Sequence, residues 1–247
     1  MSGHSKWSTI KRKKEKADAA RGKMFTRLIK EITIAARHGG GDEETNPRLR
    51  SAILSAKAAN MPHANIDKAI KRGTGELPGV SYEEVTYEGY GPGGAALLIQ
   101  VMTDNKNRTV AELRHVLSRH GGSLGENGSV AWMFKKIGLI TVPAASATED
   151  ELMVATLDAG AEDIELDEDV FRVETNPGSL EAVKTALEQN NIPYESAEII
   201  MEPRNTLRVE GKSAESMIKL MDALEEHDDI QSVYSNFDID DSVLESI

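Results

Sequence analysis

The sequence predicts an α+β multidomain protein, in which an N-terminal three-helix domain is followed by two ferredoxin-like α/β domains, one inserted in the other. Three observations lead to this fold class. Apolar residues in the first third recur at helical spacing between glycine- and proline-rich breaks. Beyond residue 79, period-2 strand patterns alternate with helical stripes in the order of two βαββαβ units. A chain of 247 residues is also long enough for more than one domain.

Three helices with short connections are predicted in the first third of the chain. Asp18 is placed to cap the first helix, which ends at the glycine run Gly39–Gly41. Asn46-Pro47 begins the second helix, because proline fits the first helical turn. Met61-Pro62 interrupts the chain before the third helix, and the linker Gly73–Gly79 follows it. The predicted buried stripes are Phe25, Leu28, Ile29, Ile32 and Ala36, then Leu49, Ile53 and Ala56, then Ile66, Ala69 and Ile70.

Strands and helices alternate through the rest of the chain. The first two strands, 82–90 and 95–102, flank a turn at Gly91–Gly94. Thr109 with Glu112 and Thr148 with Glu151 spell capping boxes, which mark helix starts. The further elements are helix 109–119, strands 130–134 and 139–142, helix 148–158, strands 164–166 and 170–173, helix 179–189, strands 197–201 and 206–209, helix 214–226 and strand 230–237.

The two βαββαβ units can be arranged in tandem, with a boundary near Glu168, or nested. Asp167-Glu168-Asp169 is short for a domain linker and suits a hairpin, which favours nesting. The predicted domains are therefore a basic helical domain at 1–79, a ferredoxin-like domain formed by 80–136 with 204–247, and an inserted acidic ferredoxin-like domain at 137–203.

Charge is distributed unevenly along the chain. The net charge is −12, yet residues 1–75 hold 17 Lys+Arg against 7 Asp+Glu, a net of +10. Residues 145–247 hold 6 Lys+Arg against 27 Asp+Glu. A solvated face is the usual explanation for one lysine run, but this asymmetry favours a basic module that binds a polyanion.

Candidate nucleic-acid-binding residues follow from this basic segment, because closely spaced cations gain affinity for phosphates by releasing condensed counterions. Trp7 has two interpretations: it stacks on a base, or it pins the N-terminal tail to the helices. The candidates are Lys6, Trp7, Lys11, Arg12, Lys13, Lys14, Lys16, Arg21, Lys23, Arg48, Arg50, Lys68, Lys71 and Arg72.

Several function classes find no support in the residues. The chain has no cysteine, which excludes disulfides, thiolate metal sites and a cysteine nucleophile. The six histidines lack metal-ligand spacing, and the glycine run Gly89–Gly94 leads into a strand instead of opening a helix around a phosphate. We therefore expect no catalytic residue, no metal, no cofactor and no small-molecule substrate. No apolar run spans a bilayer and no signal peptide is recognisable, so the expected location is the cytoplasm, away from membranes.

Several multi-residue blocks follow one another along the chain. They are Ser2-Gly-His-Ser-Lys-Trp7, Arg21-Gly-Lys23, Asn46-Pro-Arg-Leu-Arg50, Asn60-Met-Pro62, Ala69-Ile-Lys-Arg-Gly-Thr-Gly75, Tyr87-Glu-Gly-Tyr-Gly-Pro-Gly-Gly94, Thr103-Asp-Asn105 and Asn236-Phe237. In content and order these blocks strongly resemble the YebC family, whose relatives include the mitochondrial translational activator of cytochrome c oxidase. The resemblance implies a helical N-terminal domain and two nested ferredoxin-like domains.

The resemblance also implies two functions. Family members are widely labelled probable transcriptional regulators that bind DNA, and others resemble ribosome-associated translation factors, including ones that relieve stalling at proline-rich stretches. The prediction is a non-enzymatic regulator of gene expression whose partner is nucleic acid. The first hypothesis is a DNA-binding transcriptional regulator. The alternative is a translation factor that binds ribosomal RNA and the ribosome, and a phosphate-processing enzyme is a distant third.

Overall fold

The computed structural model describes the backbone of residues 17–240 and the side chains of residues 22–240. In chain order the elements are α1 (Ala17–Gly39), α2 (Pro47–Ala58), α3 (His63–Gly73), β1 (Glu83–Tyr90), β2 (Ala96–Thr103), α4 (Lys106–Arg119), β3 (Ser123–Leu124), β4 (Phe134–Pro143), α5 (Glu149–Thr156), β5 (Ala161–Asp167), β6 (Val170–Thr175), α6 (Leu180–Gln189), β7 (Ser196–Pro203), β8 (Leu207–Arg208), α7 (Gly211–Glu225), β9 (Ile230–Ser235) and β10 (Phe237–Asp238). Within this part of the chain, the helices are too short or too polar to cross a membrane.

The helical module, α1 to α3, packs around the apolar stripes that periodicity predicts. Ile32, Leu49 and Ile66 are among its buried residues. Gly73 sits where α3 crosses α1, and a Cβ there would lie 2.4 Å from the Thr33 carbonyl oxygen, so this close approach requires glycine. The predicted three-helix arrangement is confirmed.

Local signals define the helix ends in this module. Gly40 ends α1 with a φ of 84°, the left-handed conformation that glycine adopts without steric cost. Asn46 caps α2, because its side-chain oxygen accepts a hydrogen bond from the Leu49 N–H at 3.1 Å. The prediction that Asp18 caps the first helix is wrong, since α1 already includes Ala17 and Asp18 lies inside it.

The residues Trp132–Asn205 form one compact unit, and the rest of the described chain forms a second. The first unit runs β4-α5-β5-β6-α6-β7, and its antiparallel sheet has the order β5-β6-β4-β7. This is the ferredoxin-like order, with the first and third strands in the centre. The β5–β6 pair places Asp167 opposite Val170, which confirms the predicted hairpin at Asp167–Asp169.

The outer sheet has the order β3-β1-β2-β9. The strand β9 pairs with β2, as expected if the chain segments flanking the insertion combine in one domain. The strand β1 is antiparallel to β2 and takes the position that the third strand has in the inserted unit. The helices α4 and α7 supply buried side chains to its core, Leu113, Leu117, Met217 and Leu220 among them.

Two local predictions in the outer domain are wrong. The helix α4 begins three residues before Thr109, because the Asn105 side chain accepts from the Arg108 N–H at 3.0 Å and so supplies the cap. The predicted strand 130–134 is a loop with a short 3-10 turn, because the buried Glu88 carboxylate accepts the N–H groups of Val130 and Ala131 at 2.7 Å each.

Candidate nucleic-acid interface

The exposed face of α3 carries three cations. Ile66 and Ala69 are buried, so Lys68, Lys71 and Arg72 lie on the side of α3 that faces solvent. None of these three cations forms an ion pair within the described residues. Lys71 and Arg72 lie in the last turn of α3, where positive charge interacts favourably with the helix dipole. The dipole does not explain why no carboxylate within the described residues pairs with these cations. This basic face of α3 brings together three of the predicted site residues.

Two predicted site residues lie on α2 and differ in their surroundings. Arg50 is exposed, and its guanidinium donates only a long hydrogen bond of 3.4 Å, to the Glu44 carbonyl oxygen. Arg48 is half-buried between two carboxylates, with Nε donating to Glu31 at 2.7 Å and Nη1 donating to Glu84 at 3.0 Å. These hydrogen bonds, that of Glu84 being the stronger, raise the pKa of Arg48 further above its ordinary value. Because its charge is compensated, we leave Arg48 out of the basic face.

The other predicted site residues belong to the N-terminal 23 residues of the chain. Arg21 lies in α1, with its side chain outside the described residues, and Lys23 is half-buried in the same helix. The others lie outside the described residues: Lys6, Trp7, Lys11, Arg12, Lys13, Lys14 and Lys16.

Sequence reasoning missed Arg37, which belongs to the same surface. It lies in the last turn of α1, and its Nη1 donates to the Ser81 hydroxyl and, at 3.3 Å, to the Tyr82 carbonyl oxygen. Arg37 and Arg72 both line a cavity of about 250 Å³ between the ends of α1 and α3 and the segment that leads to β1. The signal was present: Arg37 directly follows the buried stripe of α1, at its exposed C-terminal end.

A buried ionic network attaches α1 to the outer sheet. Lys30 is 5% exposed, and its ammonium donates to Asp229 Oδ1 at 2.8 Å and to the Asp228 and Met102 carbonyl oxygens. Asp229 Oδ2 accepts from Thr109 at 2.7 Å and from Arg108 at 2.9 Å. The network fixes the helical module, and with it the basic face, on the outer domain.

The same network sets the ionisation of Asp229. Burial alone would raise the pKa of its carboxyl, but hydrogen bonds from Lys30, Arg108 and Thr109 outweigh burial and bring the pKa well below its ordinary value. Glu112 and His227 lie beside it, with ligand-type atoms of all three residues within 4.8 Å of one another. His227 is hydrogen-bonded to Glu112 at 3.0 Å, and both oxygens of Asp229 already face cations, so these hydrogen bonds and ion pairs account for the group without a metal.

Sequence models of one family cover nearly the whole chain. The model described as the TACO1/YebC protein N-terminal domain matches residues 5–76, and the TACO1/YebC second and third domain matches residues 82–237. The chain belongs to the TACO1/YebC family. The resemblance noted from the sequence blocks is thereby confirmed.

Relatives within the TACO1/YebC family match over full length. The chain is 58% identical to a probable transcriptional regulatory protein of Desulfotalea psychrophila, over 100% of this chain and 99% of that protein. A probable transcriptional regulatory protein of Solibacter usitatus is 59% identical, with the same coverage.

A solved structure supports the fold. The crystal structure of a conserved hypothetical protein from Aquifex aeolicus matches with a TM-score of 0.83 and 49% identity, covering 91% of this chain and 93% of that one. The predicted α+β fold class is confirmed.

Proposed function

We propose that this TACO1/YebC protein is a non-enzymatic, nucleic-acid-binding regulator of gene expression that acts in the cytoplasm and contacts phosphates through its helical module. The observation that carries the proposal is the basic face of α3, where Lys68, Lys71 and Arg72 have no carboxylate partner in the described part of the chain. The names of the relatives, which are called probable transcriptional regulatory proteins, support a role in gene regulation.

The uneven charge of the chain favours one orientation of the protein on a nucleic acid, with the helical module toward the phosphates. Cations that displace condensed counterions gain affinity without base-specific geometry. The residues 145–247, with a net charge of −21, are repelled by the same polyanion. Because the Lys30–Asp229 pair holds α1 on the outer domain, the helical module meets phosphate as a fixed surface.

Duplex DNA is the first candidate target, since the relatives are named as transcriptional regulators. Ribosomal RNA is the second, and the composition of the helices favours it. Base-edge readout in DNA commonly uses asparagine and glutamine as well as arginine. The helices α1 to α3 contain neither amide except Asn65, which is half-buried. A surface of lysine and arginine suits recognition by backbone and shape, which is how structured RNA is commonly bound.

The experiment that tests the proposal compares two charge-matched double variants of the full chain. One is K68Q with K71Q on the basic face, and the control is K212Q with K219Q, two exposed lysines of α7 in the outer domain. Binding of duplex DNA and of a ribosomal RNA fragment is measured between about 50 and 200 mM salt.

The α3 double variant should bind more weakly and lower the slope of log affinity against log salt by about 1.8 on duplex DNA, or about 1.4 on single strands. The α7 double variant should keep the wild-type slope. Equal slopes in the two double variants would contradict the proposal. A preference for RNA together with co-sedimentation with ribosomes would favour the translational role, and a preference for duplex DNA would favour the transcriptional one.

A further inference from the structure

The cavity beside the basic face combines two kinds of surface. It lies between the C-terminal ends of α1 and α3 and the segment that leads to β1, and it measures about 250 Å³. Arg37 and Arg72 line one part of it, and Ile34, Leu77, Val80 and Tyr82 supply apolar surface.

The two arginines have donors to spare. In the described chain the guanidinium of Arg37 uses only its Nη1, for the bonds to Ser81 and Tyr82, while the guanidinium of Arg72, an exposed residue, donates no hydrogen bond. The stem of Arg72 rests against the backbone of Gly79, where an added Cβ would come within 3.0 Å of Arg72 Cγ. Guanidinium groups with free N–H groups suit phosphate oxygens, which they bind with charge-assisted hydrogen bonds.

The apolar side of the cavity is unusually open. Leu77 is 38% exposed and Val80 is 51% exposed, while Ile34 behind them is buried. Tyr82 is half-buried, with the Lys30 ammonium 5.4 Å from its ring centroid. Large apolar side chains beside arginines with free N–H groups suit a ligand that is apolar at one end and anionic at the other. A nucleotide has this character, with a flat base and a phosphate.

We propose that this cavity binds one unpaired nucleotide of the nucleic acid, with its phosphate at Arg37 and Arg72 and its base against Leu77 and Val80. The inference rests on the proposed function and deepens it. The volume lies slightly below the range of about 300–1,000 Å³ that is typical of small-molecule sites, which points to an occupant no larger than one nucleotide. A base that enters a cavity has left its stack, so single strands, ends and bulges are preferred over intact duplex.

The test uses the full chain and titrates six probes of four kinds by calorimetry: adenosine and uridine 5′-monophosphates, the corresponding nucleosides, inorganic phosphate, and a single-stranded oligonucleotide. The variants are R72Q, which removes the guanidinium, V80N, which removes apolar surface, and K219Q as the charge-matched control on α7. Because Arg72, Val80 and Lys219 are exposed, each variant should keep the wild-type melting temperature.

Wild type should bind the monophosphates about tenfold or more tightly than either nucleosides or phosphate. R72Q should weaken binding of the monophosphates and of the oligonucleotide by about tenfold. V80N should weaken binding of the monophosphates and leave binding of inorganic phosphate unchanged. K219Q should leave the affinity for every probe unchanged. Monophosphates that bind no better than inorganic phosphate would overturn the inference, as would equal effects of R72Q and K219Q. The lysine double variants test the proposed function separately. If the cavity binds no nucleotide, the salt dependence of nucleic-acid binding should still depend on Lys68 and Lys71.

Discussion

Removal of the Lys30 ammonium should destabilise the protein strongly. Lys30 and Asp229 are 6% and 7% exposed at their side chains, and the N–O distance between them is 2.8 Å. Loss of one partner of a buried pair leaves the other charge uncompensated, which costs about 3–5 kcal/mol. Arg108 and Thr109 still bind the second oxygen of Asp229 in a Lys30→Met variant, so we expect the low end of that range, about 3 kcal/mol.

The assay is urea unfolding of full-length Lys30→Met beside a matched control, Lys106→Met. Lys106 lies 2.6 Å from Glu83, but the two side chains are 50% and 59% exposed, so the control should lose less than about 1 kcal/mol. Fluorescence and circular dichroism report on the same samples. A Lys30→Met variant as stable as Lys106→Met would refute the view that this pair holds α1 on the outer domain.

The other predictions concern pH, a buried carboxylate and the insertion. Because Asp229 has a lowered pKa when folded, its charge stabilises the protein fully above the ordinary carboxyl pKa, near pH 4, and this contribution is lost as pH falls below that value toward the lower folded pKa. The stability gap between wild type and Asp229→Asn should therefore narrow on acidification from pH 7, and a gap that widens would contradict the argument. Glu88→Gln should cost about 2–3 kcal/mol in urea unfolding, since the buried carboxylate accepts three backbone N–H groups at 2.6–2.7 Å; Glu126→Gln, at an exposed position, is the control. Replacement of Trp132–Asn205 by a short Gly–Ser bridge should leave the outer domain folded with a cooperative melt, whereas loss of that melt would show that the outer domain needs the inserted unit in order to fold.

Elements with strong local signals could be predicted from the sequence. Asn46-Pro47 begins α2, and Thr148 with Glu151 forms a complete capping box at α5. The same box pattern at Thr109 misled, because the Thr109 hydroxyl is buried and bonds to Asp229, 120 residues away. A capping signal is read from neighbouring residues, but tertiary structure determines which group the side chain binds.

The sequence was sufficient to predict that the candidate site is basic, but not how its residues are arranged in space. The exposed lysines and arginine of α3 followed from helical spacing, since they lie opposite Ile66 and Ala69. Arg48 also lies on a helix of the basic N-terminal module, yet Glu84 on β1 compensates its charge. The cavity at Arg37 was out of reach, because it forms only when the ends of two helices and the following segment come together.

Mapping of photo-crosslinks tests the central claim most directly. The full chain is bound to a single-stranded RNA and, separately, to duplex DNA, irradiated, digested and examined by mass spectrometry for peptides that carry nucleotide. The proposal has phosphate bound at the helical module, so crosslinked peptides should come from residues 1–82, above all from α3 and the segment up to Tyr82. Crosslinks concentrated in the acidic residues 145–240 and absent from α3 would contradict the claim.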